Sequence, residues 1–352
     1  MKIFLLFMAT VFAVSVYSQS VFVVQNATNS SVHQILDSAL YYAADDDYIY
    51  LPGGNFNVGN VRISKKLNII GAGHYPDSTQ ATGATAFTGN IYFKTGSDGS
   101  TLQGIYLNGD IFMGDSCVTG NVSNILISRC NINKIFLTYN TTTTTNCGAQ
   151  NIFVKECVVR SNIRGANAQN VVFENNIIAG GLGNFDGNAN FKNNVFMKTC
   201  STTSGAFGYQ VLYYVYNCTF ENNIFKQSSS LSSYFAFSTT DNLFNNNVFG
   251  FPSCFTGAGS CNNCLYDVNF INQFVNVPGT AFEYPYNYHL SDTSVAIIAG
   301  TNGTDCGIYG GDNPYKEGAV PVNPHIQFKQ IPSATDSQGK LNIQVKVSAQ
   351  EN

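Results

Sequence analysis

Tryptophan is absent from the 352 residues, and charge is scarce: 17 Lys and Arg stand against 21 Asp and Glu. A chain without a basic excess has no electrostatic footprint for a phosphate backbone, so nucleic acid is not an expected partner. The four histidines, His33, His74, His289 and His325, follow no metal-ligand spacing. No metal site and no cofactor are expected from them. Beyond residue 14 no apolar run approaches the roughly 18 residues of a membrane helix, so no membrane span is expected. Leucine does not recur at fixed places, which excludes a leucine-rich repeat.

What the chain has in excess is asparagine: 43 residues, beside 27 Phe and 20 Tyr. With 44% hydrophobic residues this bias is not that of a disordered segment and needs a structural cause. The first 18 residues read as a signal peptide: Lys2, an apolar run from Ile3 to Val14, then Val16-Tyr17-Ser18 before Gln19. The mature chain is then expected outside the cell, where ten cysteines permit disulfides. Cys261-Asn262-Asn263-Cys264 is the one CxxC; without a second pair it reads as a local staple or free thiols rather than zinc.

A repeat accounts for the bias. It runs Asn, apolar, x, apolar, x, x, Asn or Cys, apolar, apolar, with copies starting at Asn124, Asn151, Asn170, Asn188, Asn217 and Asp241. The steps of 27, 19, 18, 29 and 24 residues are an elastic period near 20, as in a solenoid. The fourth column, Ile127, Val154, Phe173, Phe191, Phe220 and Phe244, and the ninth, Ile132, Val159, Ile178, Phe196, Phe225 and Phe249, are expected in the core. The fifth column, Ser128, Lys155, Glu174, Lys192, Glu221 and Asn245, points the other way and alternates in sign. The seventh reads Cys130, Cys157, Asn176, Asn194, Asn223 and Asn247. It is expected to take a left-handed turn and to bond Asn to Asn between rungs. Cys130 and Cys157 then sit on adjacent rungs, close enough to pair or to stack as thiols.

From about Tyr48 to Tyr309 this pattern resembles the right-handed parallel β-helix of the pectate-lyase-like superfamily. The resemblance implies an all-β, single-stranded solenoid of about ten coils. It implies no particular activity, because that fold hosts lyases, hydrolases, adhesins and phage spikes. Ser31 to Ala44 has helical spacing and fits a capping helix; Asp45-Asp46-Asp47 fits a solvated turn better than a calcium site. Tyr48 to Gly54 resembles the family's first strand and Lys66 to Gly73 its second coil, with Gly71-Ala72-Gly73 a turn. Ser294 to Ile326 resembles the closing segment of secreted bacterial β-helix proteins of unassigned role. The expected organisation is a signal peptide at 1–18, the β-helix at 19–311, a Pro-rich linker at 312–325 and a C-terminal β tail at 326–352. In the tail, Leu341, Ile343, Val345 and Val347 alternate as a half-buried strand after a turn at Asp336 to Gly339.

Signals for chemistry are sparse. Uronate lyases of this fold need an Arg or Lys base, and often an acidic calcium site; the hydrolases need carboxylates on adjacent rungs, and Glu174 and Glu221 are separated by a Lys rung. No catalytic residue stands out. Six Asn-x-Ser/Thr sequons, at Asn26, Asn29, Asn121, Asn140, Asn217 and Asn302, fit chance in an Asn- and Thr-rich chain, and Thr141 to Thr145 fall in one loop rather than on an ice-binding face. Long insertions at 133–150 and 197–216 flank three short coils, so their bases are expected on one side, about 14 Å apart at roughly 4.8 Å per rung. The floor of such a saddle carries Arg160, Arg164 and Asp186 and its walls Tyr139, Tyr209 and Tyr213, residues suited to the faces and carboxylates of an acidic polysaccharide. The leading expectation is a secreted or cell-surface protein that, without catalysis, binds glycan or contributes to surface structure. The alternative is a lyase or hydrolase acting on an acidic polysaccharide.

Overall fold

The computed structural model describes residues 21–115, 122–139, 148–166, 168–199, 210–226, 235–251 and 258–349. The expected signal peptide, the Thr141–Thr145 run, Tyr209 and the middle of each insertion, 140–147 and 200–209, lie outside them. The described chain is all-β with one helix of seven residues, Leu36–Tyr42. Two long sheets dominate, of twelve and thirteen strands among the described residues, here called sheets A and B. After the antiparallel strands Phe22–Gln25 and Ser30–His33, the other ten strands of sheet A are parallel, from Tyr48–Tyr50 to Gly259–Asn262. The chain leaves sheet A, crosses sheet B and returns one strand further along, an arrangement compatible with a parallel β-helix.

The columns read from sequence are the register of the sheets. Ile127, Val154, Phe173, Phe191, Phe220 and Phe244 pair rung to rung in sheet A, and all are fully buried. The four rings stack at 5.2, 4.9 and 4.8 Å. Ile132, Val159, Ile178, Phe196, Phe225 and Phe249 do the same in sheet B. The fifth-column charges share one register on the outer face of sheet A.

The turn between the sheets corrects the sequence reading. The left-handed residue is the sixth position, not the seventh: Arg129, Glu156, Asn175, Asn193, Asn222, Asn246 and Asn263 have φ between 51° and 56°. The first position is left-handed too, from Asn124 to Asp241. Asparagine tolerates that conformation, so two left-handed corners per rung explain much of the excess. The seventh side chains point inward and form the expected ladder. Asn176 Nδ2 donates to Asn194 Oδ1 at 3.0 Å, Asn194 to Asn223 at 3.0 Å and Asn223 to Asn247 at 2.9 Å. Each amide also donates to a carbonyl of the preceding rung, as Asn194 does to Phe173. Cys130 and Cys157 continue the column on adjacent rungs as free thiols, the Cys130 N–H donating to Cys157 Sγ at 3.4 Å. Cys264 ends it beyond Asn247; it is free, whereas Cys261 is disulfide-bonded, so the CxxC is not a staple between its own two cysteines.

Sheet B forks. In the early coils its strands are long, such as Gly54–Ile63, Thr85–Phe93 and Tyr106–Met113. A Cβ on Gly89 would come within 1.9 Å of the Gly59 carbonyl and one on Gly109 within 1.8 Å of that of Gly89, so only glycine fits this bend. From Asn131–Phe136 onward each strand becomes two. One branch continues through Val158–Val159 and Ile177–Ile178, the other through Ile163–Arg164 and Leu182–Asp186.

The eighth-column residues Val158, Ile177, Val195, Ile224 and Val248 face out of the stack yet are buried. Phe270, Phe274, Tyr288, Cys306, Ile308 and Tyr315 cover them in a second core. The chain after residue 296 then runs back along the sixth column as a strap. Asn246 Nδ2 donates to Ala299 O, Asn193 to the carbonyls of Asp305 and Gly307, Asn175 to those of Ile308 and Gly310, and Arg129 Nη1 to Val320 O. Within the segment expected as a linker, Tyr315, Ala319 and Val320 are buried, and Asn323 bonds Tyr50 of the first parallel strand.

Two terminal expectations change. The helix is shorter than 31–44, because Ser30–His33 pairs as a strand; Val32 and Ile35, which made the spacing look helical, are exposed, and only Leu36 and Ala39 of the helix are buried. Lys65 Nζ bonds the helix-end carbonyls of Leu40 and Tyr41, Asp47 accepts the Ala44 N–H within the turn, and Asp45 accepts the Lys66 N–H of the next coil. The tail forms a hairpin, His325–Gln330 with Gln344–Ser348, around the expected turn at Asp336. Its apolar residues are exposed rather than half-buried, because no other described element covers them. Among the described residues no helix is long and apolar enough to cross a membrane.

Candidate ligand-binding face

The second branch of sheet B carries one unusual column. Ile91, Ile111, Ile135, Ile163, Leu182 and Leu212 point inward and are fully buried or nearly so. The next residue of each strand points outward: Tyr92, Phe112, Phe136, Arg164, Gly183 and Tyr213, with Phe237 after them, all in register. Tyr92 stacks on Phe112 at 4.8 Å and Phe112 on Phe136 at 4.8 Å; Tyr213 stacks on Phe237 at 5.5 Å. Lys94 lies over the Tyr92 ring at 5.4 Å and pairs with Asp115 at 3.0 Å. Arg164 therefore stands as a cation in a file of rings, with Gly183 leaving a gap on the rung between it and Tyr213.

Local sequence sets this up. Asn162 Oδ1 accepts the Gly181 N–H at 2.9 Å and fixes the corner before Ile163. Gly165, after Arg164, leaves room for the Phe185 ring, which a Cβ would meet at 2.5 Å. Burial lowers the pKa of Arg164, opposed by the nearby Tyr213 hydroxyl. Tyr216 is raised, by burial first and then by Tyr214 and Asp186.

Of the residues singled out from sequence, Arg164 and Tyr213 share the column, and Asp186 lies exposed opposite Tyr216 in the same branch. Tyr139 is half-buried, three residues past Phe136. Arg160 is engaged elsewhere: its guanidinium lies over the Tyr106 ring at 4.7 Å, Nη1 donating to the Tyr106 hydroxyl at 2.9 Å and Nη2 to Leu107 O at 2.7 Å. Tyr92, Phe112, Phe136 and Phe237 escaped the sequence reading because they lie outside the nine-residue motif copies. The repeated Ile-aromatic step at Ile91-Tyr92, Ile111-Phe112 and Ile135-Phe136 was a signal for the first three.

Among the described residues no three His, Cys, Asp or Glu side chains gather as metal ligands do. No known protein family and no curated protein matches the chain by sequence.

Proposed function

We propose that this chain is a secreted, right-handed parallel β-helix protein of the pectate-lyase-like kind that binds an acidic glycan at the cell surface without cleaving it. The outward column of half-buried Tyr92, Arg164, Tyr213 and Phe237, with Phe112 and Phe136 buried between the first two, carries the reading. Ring edges and the Tyr hydroxyls offer sugars apolar and polar contacts, and a guanidinium in their line takes a carboxylate. The rungs, roughly 4.8 Å apart, offer a periodic track to a periodic polymer. The alternative is a lyase or hydrolase acting on an acidic polysaccharide, whose product would be unsaturated or hydrolysed.

A glycan-array screen with product analysis separates the two. Binding of an acidic glycan with no unsaturated or hydrolysed product is expected. Replacing Arg164 and Tyr213 together by Ala should weaken that binding about tenfold or more, the worth of one charged hydrogen bond and a ring contact, at unchanged melting temperature. Arg160→Ala should instead lower the melting temperature, because Arg160 is tied to Tyr106 and Leu107. Undiminished binding by the Arg164/Tyr213 variant removes this site.

A further inference from the structure

Two exposed apolar surfaces that no other described element covers lie far apart along the stack. One is the hairpin at 325–348. Ile326 pairs with Val347 and Lys329 with Val345, so one face presents Ile326, Val345 and Val347 beside the Lys329 ammonium. An isolated two-stranded hairpin is marginal in water, and no other described strand pairs with either outer edge of this one. The other surface is built by residues 271–275 and 291–298, which Gln273 joins by accepting from Ser294 Oγ and the Val295 N–H. Ile271 is 81% exposed and Ile298 72%. Ile298 is a β-branched residue held left-handed at φ 52°, its N–H donating to Asp305 Oδ1 at 2.8 Å. Such strain is rare, and here it keeps an aliphatic side chain in water. A groove of about 440 Å³ lies beside these residues, with Val275 and Asp292 in its wall.

We propose that the protein associates head to tail, the hairpin of one copy seating on the 271–298 surface of the next. Three observations select a second copy as the occupant. The surfaces match in charge, since the hairpin carries Lys329, Lys340 and Lys346 against Asp336, while Asp292 lines the groove. They match in chemistry, aliphatic against aliphatic. They also cannot meet within one chain. The hairpin leaves beside Tyr50 through Asn323, whereas the receiving surface lies by Asn246, eight rungs or roughly 38 Å away. The hairpin itself spans roughly 20 Å. A head-to-tail contact between unlike surfaces leaves one free surface at each end of a dimer, so it propagates past the dimer, into an open filament or, where the rotation closes, a ring.

Sedimentation velocity on the full chain, with variants, tests this. The average mass of the unaltered protein should climb past the dimer as concentration rises. Val345→Asp and Ile271→Asp should each be monomeric with an unchanged main unfolding transition. Their equimolar mixture should give dimers and nothing larger, since only one intact pair of surfaces remains. Loss of the hairpin fold in Val345→Asp leaves this readout intact, because that variant contributes only its other surface. Asp292→Lys should weaken assembly, and Lys329→Asp in the same chain should restore it. A monomer at every concentration overturns the proposal. So does wild-type association by Ile271→Asp, which would mean hairpin pairing with hairpin.

Discussion

Arg129 and Glu156 occupy the same left-handed position on successive rungs and form an ion pair, Nε to Oε2 at 2.6 Å, with both side chains only 3% exposed. Every later rung has asparagine there. Left-handed backbone costs a residue such as Arg or Glu roughly 1–2 kcal/mol. The pair offsets this by satisfying each charge in a dry place and by bonding the strap at Val320.

Glu156→Ala should therefore be far costlier than a surface change, about 3–5 kcal/mol, since it strands the Arg129 cation. The double variant Arg129→Asn with Glu156→Asn should recover much of that loss, because asparagine suits the backbone and leaves no buried charge. Urea unfolding measures both. A single variant as stable as the parent would show that the pair is not buried in solution.

The Asn194 amide serves three partners: Asn223 Oδ1, the Phe173 carbonyl and, as acceptor, Asn176. Asn194→Leu should cost about 1–3 kcal/mol for each buried group it leaves unpaired. Asn194→Cys should cost less, because Cys157 already fills this position on its own rung and accepts a neighbouring N–H. Melting temperatures rank the two, and the reverse order would contradict the ladder.

His74 is buried, its Nδ1 3.3 Å from the Tyr284 hydroxyl and its Nε2 without a protein partner. Burial, with the Arg160 charge adding, lowers its pKa from 6.5 to about 3. The folded protein thus holds His74 neutral while the unfolded chain protonates it at its ordinary pKa. Its contribution to stability is complete above pH 6.5 and is lost as pH falls from there toward 3. The slope should approach about 1.4 kcal/mol per pH unit below the ordinary pKa. His74→Gln should flatten that part of the profile in urea titrations across pH 4.5 to 7.5 or thereabouts. An unchanged profile would place the acid sensitivity elsewhere.

The core columns were legible because inward side chains obey one rule on every rung: Phe173, Phe191, Phe220 and Phe244 recur at one place and stack at one place. The left-handed corner was displaced by one residue because Asn175-Asn176, Asn193-Asn194 and Asn222-Asn223 are doublets, and only geometry tells which member turns and which points inward. The strap could not be read at all. It binds through its own carbonyls, which every sequence has, so Ala299, Gly307 and Gly310 carry no mark of the contact. Of the proposed binding face, Arg164 and Tyr213 were found by residue type. Arg160 has the same type but faces Tyr106, because the corner at 160–162 separates the two arginines.

The strap also sets an order of events during synthesis. Rungs pair with the strand before them and can accumulate as the chain emerges. The groups on Asn175, Asn193 and Arg129 must wait more than a hundred residues for Ile308, Asp305 and Val320. Until those arrive, the eighth-column Val158, Ile177 and Val195 lack their cover and are open to wrong partners. Closing so long a loop is slow relative to local pairing. The interval before the last residues are made is when this protein is most exposed to aggregation, and a chaperone that shields that side would act there.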